Sequence, residues 1–184
     1  QHDLQTIAGQ IKTAQDCVQQ IQPLTSTIAD FDLDSAYAVS KLIHEARLRD
    51  GAVAVGRKIG FTNPDMWACY RVRAPIWGYV YETTVVRVTD GHCAFGIGRF
   101  AEPKIEPEIV FHFHSSPPVG GDLMAILECV DWVAHAFEIV QSNFPGWKFQ
   151  AAETIADSAL HGALLVGEPK HIGKASVRFL ATLA

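Results

Sequence analysis

The chain of 184 residues has no apolar run near the ~20 residues that a membrane-spanning helix needs. It has no basic excess either. Lys and Arg number 15 against 20 Asp and Glu, for a formal net charge of -5, which argues against the positive footprint of a nucleic-acid-binding protein. The four cysteines, Cys17, Cys69, Cys93 and Cys129, form no CxxC pair, and none neighbours a histidine at zinc-finger spacing. Reduced thiols in a cytoplasmic protein are the expectation. The N-terminus is polar and Gln-rich, shows no signal-peptide pattern and does not begin with Met. Repeats, low-complexity tracts and linkers are absent from the pattern. What is present is an apolar content of 48% with only 19% charged residues, too apolar for a disordered chain and enough for one domain with a sizeable core.

Periodicity predicts two helices and then a mostly β body. Leu4, Ile7, Ile11, Ala14, Val18 and Ile21 recur at alternating steps of three and four, which marks one helical face, with Pro23 as its end. A second helix is expected from a cap at Asp34 or Ser35 to the stop at Asp50-Gly51. Its apolar stripe is Val39, Leu42, Ile43 and Ala46, and its outer face carries Lys41, Glu45, Arg47 and Arg49. Ala52 to Phe61 reads as a buried strand broken by Gly56 and a charged pair. Further strands are expected over 75–81, 83–88, 105–114, 132–140 and 163–166. Asp122 caps a short helix, and Ala151 to Leu160 forms another, closed by Gly162. The fold class is therefore α+β, with a helical segment at 1–50 and a mixed β domain at 51–184.

Three carboxylates demand an explanation. In IEPEIVFHFH, alternation puts Glu106, Glu108, Val110, His112 and His114 on one face, so Glu106 and Glu108 project side by side, roughly 7 Å apart. Taken alone, the pair is more readily the wet polar face of a half-buried strand. Glu138 lies in WVAHAFEIV, whose two faces are both mainly apolar, so that strand is expected to be covered on both sides. A carboxylate buried there must be protonated, ion-paired or bound to a cation. If the three converge, their mutual repulsion is relieved by a hard divalent cation, and all-oxygen ligation suits Mg²⁺ or Mn²⁺. Their convergence is an inference about strand neighbours. Lys58 sits in a run otherwise fit for burial. It either reaches solvent from a strand end or stands at a site, where an ammonium holds a substrate carboxylate or moves a proton. His112 and His114 share the glutamate face, but imidazoles would favour zinc, so an exposed polar strand end is expected there. Gly96-Ile97-Gly98 is too short to imply phosphate binding.

Four segments resemble the 2-keto-4-pentenoate hydratase family of the fumarylacetoacetate hydrolase superfamily: VGRKIGFTN (Val55 to Asn63), PKIEPEIVF (Pro103 to Phe111), FEIVQS (Phe137 to Ser142), and Trp147 followed by TIAD (Thr154 to Asp157). The resemblance implies N-terminal helices followed by a mixed β-roll of the superfamily's type. It matches Glu106, Glu108 and Glu138 to the family's metal ligands and Lys58 to its active-site lysine. It implies Mg²⁺ or Mn²⁺, a small 2-oxo or 2-hydroxydienoic acid from aromatic catabolism as substrate, and a homo-oligomer. The implied reaction is hydration of 2-hydroxypenta-2,4-dienoate to 4-hydroxy-2-oxopentanoate. Decarboxylation of 4-oxalocrotonate or C–C hydrolysis by the same metal constellation is the alternative enzyme reading. Asp157 is a candidate substrate-binding residue, or else it caps or orients its own short helix.

Three departures from the family pattern stand out. Ile76-Trp77-Gly78 replaces the usual Asp-Phe-Gly, so an acidic group near the substrate is missing. Ser158 and Leu160 replace the usual Asn and Ser after TIAD. Family chains continue well past Gly162 to Pro169, whereas this sequence ends at Ala184, so a C-terminally shortened β-roll with an exposed edge and apolar patch is expected, whether the sequence is a fragment, a partner chain covers the gap, or the fold is trimmed and inactive. A non-catalytic structural subunit is the reading that this shortening favours, and the intact glutamates with Lys58 argue against it.

Overall fold

The computed structural model describes residues 3–173. The chain beyond Gly173, part of the C-terminal run on which the shortened β-roll rests, lies outside the described residues. The fold is α+β and divides into two compact units: one formed by the chain up to Val85 with 95–105 and 139–163, the other by 86–94, 106–138 and the chain from Leu164.

The first unit opens with α1 (Leu4–Cys17), started by Asp3, whose side chain accepts from the Gln5 N–H at 3.0 Å. Ile7, Ala8, Ile11 and Ala14 are its buried face. The helix ends at Cys17, ahead of Pro23. Val18 turns left-handed at φ 54° and its N–H caps the Ala14 carbonyl. Ile21, apolar at helical spacing, is packed from an irregular segment instead, with its N–H donated to the Asn143 carbonyl at 2.7 Å. In α2 (Leu33–Arg49) the cap is Asp32, which accepts from the Ser35 N–H at 2.8 Å, so the helix starts earlier than Asp34 or Ser35 would set it. Gly51, at φ 90°, follows its C-terminus as expected. Ala36, Val39, Ser40 and Ile43 form the buried stripe. They pack with α1 and with α5 (Ala151–Ala156) around Ile11, Ile43 and Ile155. Each such aliphatic side chain contributes ~1.5–3 kcal/mol by burial.

The same unit holds β1 (Ala54–Gly60) and β2 (Ile76–Tyr81), paired antiparallel with Lys58 opposite Gly78 and Arg57 opposite Tyr79. Between them lies α3 (Trp67–Tyr70). β1 is not buried on both faces as its apolar run suggests. Val53, Val55 and Ile59 are 54%, 53% and 52% exposed, because a two-stranded ribbon here is covered on one side only. Gly78 has a structural reason. A Cβ there would stand 2.4 Å from the Ser158 carbonyl oxygen. The helix expected over 151–160 stops at Ala156. Ser158, Ala159 and Leu160 then form a tight turn with φ of 55°, 53° and 62°, three successive non-glycine residues in a region that costs roughly 1–2 kcal/mol each.

The second unit carries most of a five-stranded sheet in the order β3 (Val85–Arg87), β6 (His161–Val166), β5 (Val130–Val140), β4 (Lys104–Phe113), with β7 (Lys170–His171) pairing antiparallel to β5. α4 (Leu123–Leu127) is capped by Asp122, which accepts from the Ala125 N–H at 2.8 Å, as its sequence predicts. β5 is not covered on both sides: His135 and Phe137 are exposed while Ala134, Ala136 and Glu138 are buried. On the edge strand β4, Ile109, Phe111 and Phe113 are also exposed, at 52%, 43% and 41%. Exposed apolar side chains are thus present on β4 and β5, and among the described residues β4 is the last strand of the sheet. Among the described residues no helix is long and apolar enough to cross a membrane.

Candidate metal centre

β4 and β5 lie side by side in the second unit, and alternation along each strand decides which side chains meet. Glu106 and Glu108, two residues apart on β4, come together with Glu138 of β5. One carboxylate oxygen from each lies within 4.8 Å of the other two. Glu106 is exposed and Glu108 half-buried, while Glu138 is only 1% exposed. The cluster therefore has a closed floor and an open rim. Three carboxylates so close repel one another unless positive charge stands among or beside them. Their donor set, hard oxygens only, fits a hard divalent cation such as Mg²⁺ or Mn²⁺. Among the described residues this is the one His/Cys/Asp/Glu group with spacing suited to a metal ion.

His112 and His114 contribute no second cluster of that kind. The His112 Nδ1 lies 2.6 Å from Asp131 Oδ1 and the ring stacks on Trp132 at 4.6 Å. That bond holds the Asp131 carboxyl below its usual range. His114 Nε2 is 3.1 Å from the Glu128 carbonyl oxygen. Both histidines are exposed at a strand end, as expected.

Lys58 and Asp157 belong to the first unit. Lys58 is half-buried in the middle of β1, on the face opposite Arg57. The Arg57 guanidinium lies over the rings of Tyr79 and Trp77, 4.1 and 5.1 Å from their centroids. Lys58 is opposite Gly78 in the ladder, and Gly78 meets the Ser158 carbonyl. Asp157 is 2% exposed. Its Oδ1 accepts from Gln15 Nε2 at 2.9 Å and its Oδ2 from the Asn143 N–H at 3.4 Å. Burial pushes its carboxyl up from 3.8 to about 7, against the opposing effects of the Gln15 and Asn143 bonds and the Arg47 charge. The carboxyl group is thus turned inward, directly beneath the left-handed turn. Ile76, where the family pattern has an acid, is 3% exposed and part of the core.

Sequence reasoning missed Arg47. Placed on the outer face of α2, it is instead half-buried, and its Nη2 donates to Gln15 Oε1 at 2.7 Å and Asp16 Oδ1 at 3.0 Å. The available signal was its position four residues after Ile43, in line with the buried stripe.

No protein-family model matches the chain. The structure superposes on 4-oxalocrotonate decarboxylase from Pseudomonas putida G7, solved with magnesium and adipate, with a TM-score of 0.83 at 23% identity, covering 94% of this chain and 65% of that one. The fold is thus the mixed α+β fold of that decarboxylase. Among curated proteins, the 2-hydroxypent-2,4-dienoate hydratase of Pseudomonas putida is 30% identical over 154 residues, spanning 82% of this chain and 67% of its own length. 2-Keto-4-pentenoate hydratase 1 of Dechloromonas aromatica (strain RCB) is 30% identical over 167 residues, spanning 87% of this chain and 60% of its own. The 2-hydroxyhexa-2,4-dienoate hydratase of Comamonas testosteroni is 30% identical over 165 residues, with 88% and 61% covered. The chain belongs to the 2-keto-4-pentenoate hydratase family, within the fumarylacetoacetate hydrolase superfamily. It spans about 60% of the length of the Dechloromonas relative.

Proposed function

We propose that the chain is a divalent-metal-dependent lyase that hydrates 2-hydroxypenta-2,4-dienoate-like acids to 4-hydroxy-2-oxo acids. The observation that carries this reading is the convergence of Glu106, Glu108 and Glu138 within 4.8 Å. The hydratase names of relatives at 30% identity support it. The three glutamates would hold Mg²⁺ or Mn²⁺. A bound cation supplies Lewis-acid stabilisation of the enolate-like charge that develops on a 2-oxo acid. The 2-hydroxyl loses its proton as C5 gains one, which gives the 2-oxo-3-ene acid; water then adds across C3=C4, with the hydroxyl going to C4 and a proton to C3. The Lys58 ammonium serves as the partner of the substrate carboxylate or as a proton carrier. Asp157 enters the same reading by holding the Ser158–Leu160 turn, its carboxyl bonded to Gln15 and the Asn143 N–H.

The finer architecture belongs to this proposal too. The five-stranded sheet is read as part of a fumarylacetoacetate hydrolase-type β-roll, with the metal carried by 51–184 and helices supplied by 1–50. The exposed side chains of Ile109, Phe111, Phe113 and Phe137 support a homo-oligomer. The reading places the protein in the cytoplasm.

Calorimetric titration with Mg²⁺ and Mn²⁺ tests the centre. Glu108→Gln should weaken binding at least about tenfold, in line with the loss of one charged ligand, and unchanged affinity removes Glu108 from the ligand set. Lys58→Met should leave metal affinity intact while abolishing loss of dienol absorbance. Release of CO₂ from 4-oxalocrotonate without dienol hydration would turn the reading to decarboxylation, and a folded chain that binds neither metal would make it a structural subunit.

A further inference from the structure

The first unit contains a second concave site, a cavity of about 230 Å³. We propose that it binds a small aliphatic carboxylate, held by the guanidinium groups of Arg47 and Arg99.

The charge count is the main argument. Arg47, Arg99 and Asp16 are the Arg, Lys, Asp and Glu residues in the lining. Asp16 is not Arg47's alone, for Lys12 Nζ bonds its Oδ2 at 2.8 Å while Arg47 takes its Oδ1. Lys12 also pairs with Asp50. Arg99 makes no ion pair or hydrogen bond among the described residues. Its guanidinium lies 5.2 Å from the ring centroids of Phe95 and Phe100. The site is therefore locally cationic on a chain whose formal net charge is -5, and a cleft of one sign concentrates counter-ions.

Donor capacity points the same way. A guanidinium has five N–H donors in a planar fork that matches a carboxylate. Arg47 spends only Nη2 on Gln15 and Asp16, so Nη1 and Nε remain for a ligand. The Thr84 hydroxyl and the His161 Nε2–H, also in the wall, are spent within the protein and leave the guanidinium groups as the ligand's donors. Thr84 Oγ1 donates to the Tyr81 carbonyl at 2.9 Å, which leaves it to accept from His161 Nε2 at 2.8 Å. The volume is below the roughly 300–1,000 Å³ of drug-sized sites, so the ligand is small. The wall contributed by Ser158 belongs to the turn above Asp157, and Gln15 bridges Arg47 to Asp157. Occupancy would therefore be felt at that turn. This proposal does not rest on the metal centre.

The test uses the whole chain, freed of metal with a chelator, and titrates succinate, acetate and inorganic phosphate by calorimetry and by ¹H–¹⁵N chemical shifts. Succinate should bind saturably at millimolar concentrations. Arg99→Gln, at an exposed position, should weaken it about tenfold, with Arg99→Lys recovering part of the loss. The Glu108→Gln chain should bind succinate like its parent, and Arg99→Gln should bind Mg²⁺ like its parent. No saturable succinate binding, equal affinity after Arg99→Gln, or loss of binding in Glu108→Gln overturns the proposal. Tighter binding of phosphate with the same arginine dependence overturns the carboxylate assignment.

Discussion

Replacing Asp157 with asparagine should change how stability depends on pH, and the structure sets both sign and size. The side chain is 2% exposed, and burial raises its carboxyl from 3.8 to about 7. A carboxyl whose folded pKa lies above its unfolded value favours the folded state while protonated. That advantage is complete below about 3.8, falls as pH rises, and is gone above about 7, where ionisation costs the native state a constant amount. At ~1.4 kcal/mol per pH unit the whole span corresponds to ~4 kcal/mol. The Asp157→Asn side chain is neutral at every pH and nearly the same shape. Other titrating groups are common to both chains and cancel in the difference. The unfolding free energy of the variant minus that of the parent should therefore climb by roughly 1.4 kcal/mol per pH unit between about pH 4 and 7, then level off. Urea unfolding at intervals across that range, followed by the fluorescence of the four tryptophans, measures it. A difference that is flat with pH, or that shrinks as pH rises, refutes the placement of a protonated carboxyl between Gln15 and Asn143.

Two further substitutions probe the scaffold. Gly78→Ala would drive a methyl group to 2.4 Å from the Ser158 carbonyl oxygen. The resulting overpacking should lower stability by ~1–3 kcal/mol in urea melts, and an unchanged midpoint would show that the turn yields freely. Asp32→Ala removes the α2 cap that accepts from the Ser35 N–H. It should cost ~1 kcal/mol, while Asp34→Ala, which removes no cap, should cost clearly less; the reverse ranking would restore the cap to Asp34.

Local rules made parts of the molecule legible. The stripe of α2, the cap at Asp122 and the alternation of β4 each depend on neighbours within a few residues. The choice of Asp32 over Asp34 turned on which acid stood outside the first helical turn, where two candidates are separated by a single Leu. Val18 and Ile21 fit a helical period equally well from a helix or from an irregular segment, since periodicity records burial and not hydrogen bonding. Arg47 was unreadable for a different reason. Its charge suggests solvent, yet its partners Gln15 and Asp16 sit on α1, more than 30 residues away in sequence. The apolar runs at β1 and β5 promised cover on both faces. Val55, Ile59 and Phe137 are nonetheless exposed, because cover depends on what packs against a sheet and not on the strand itself.

The covalent geometry of an extended chain alone places Glu106 and Glu108 on the same side of β4, because successive Cβ atoms point to opposite faces. For that reason the amino-acid order determined the carboxylate pair and, through four matching segments, the family. Strand order decided the rest. Glu138 reaches the pair only because β5 lies against β4 in the sheet. Asp157 meets Gln15 across 142 residues of chain. Neither encounter is encoded in any local window, since each depends on which buried faces find one another when the chain packs.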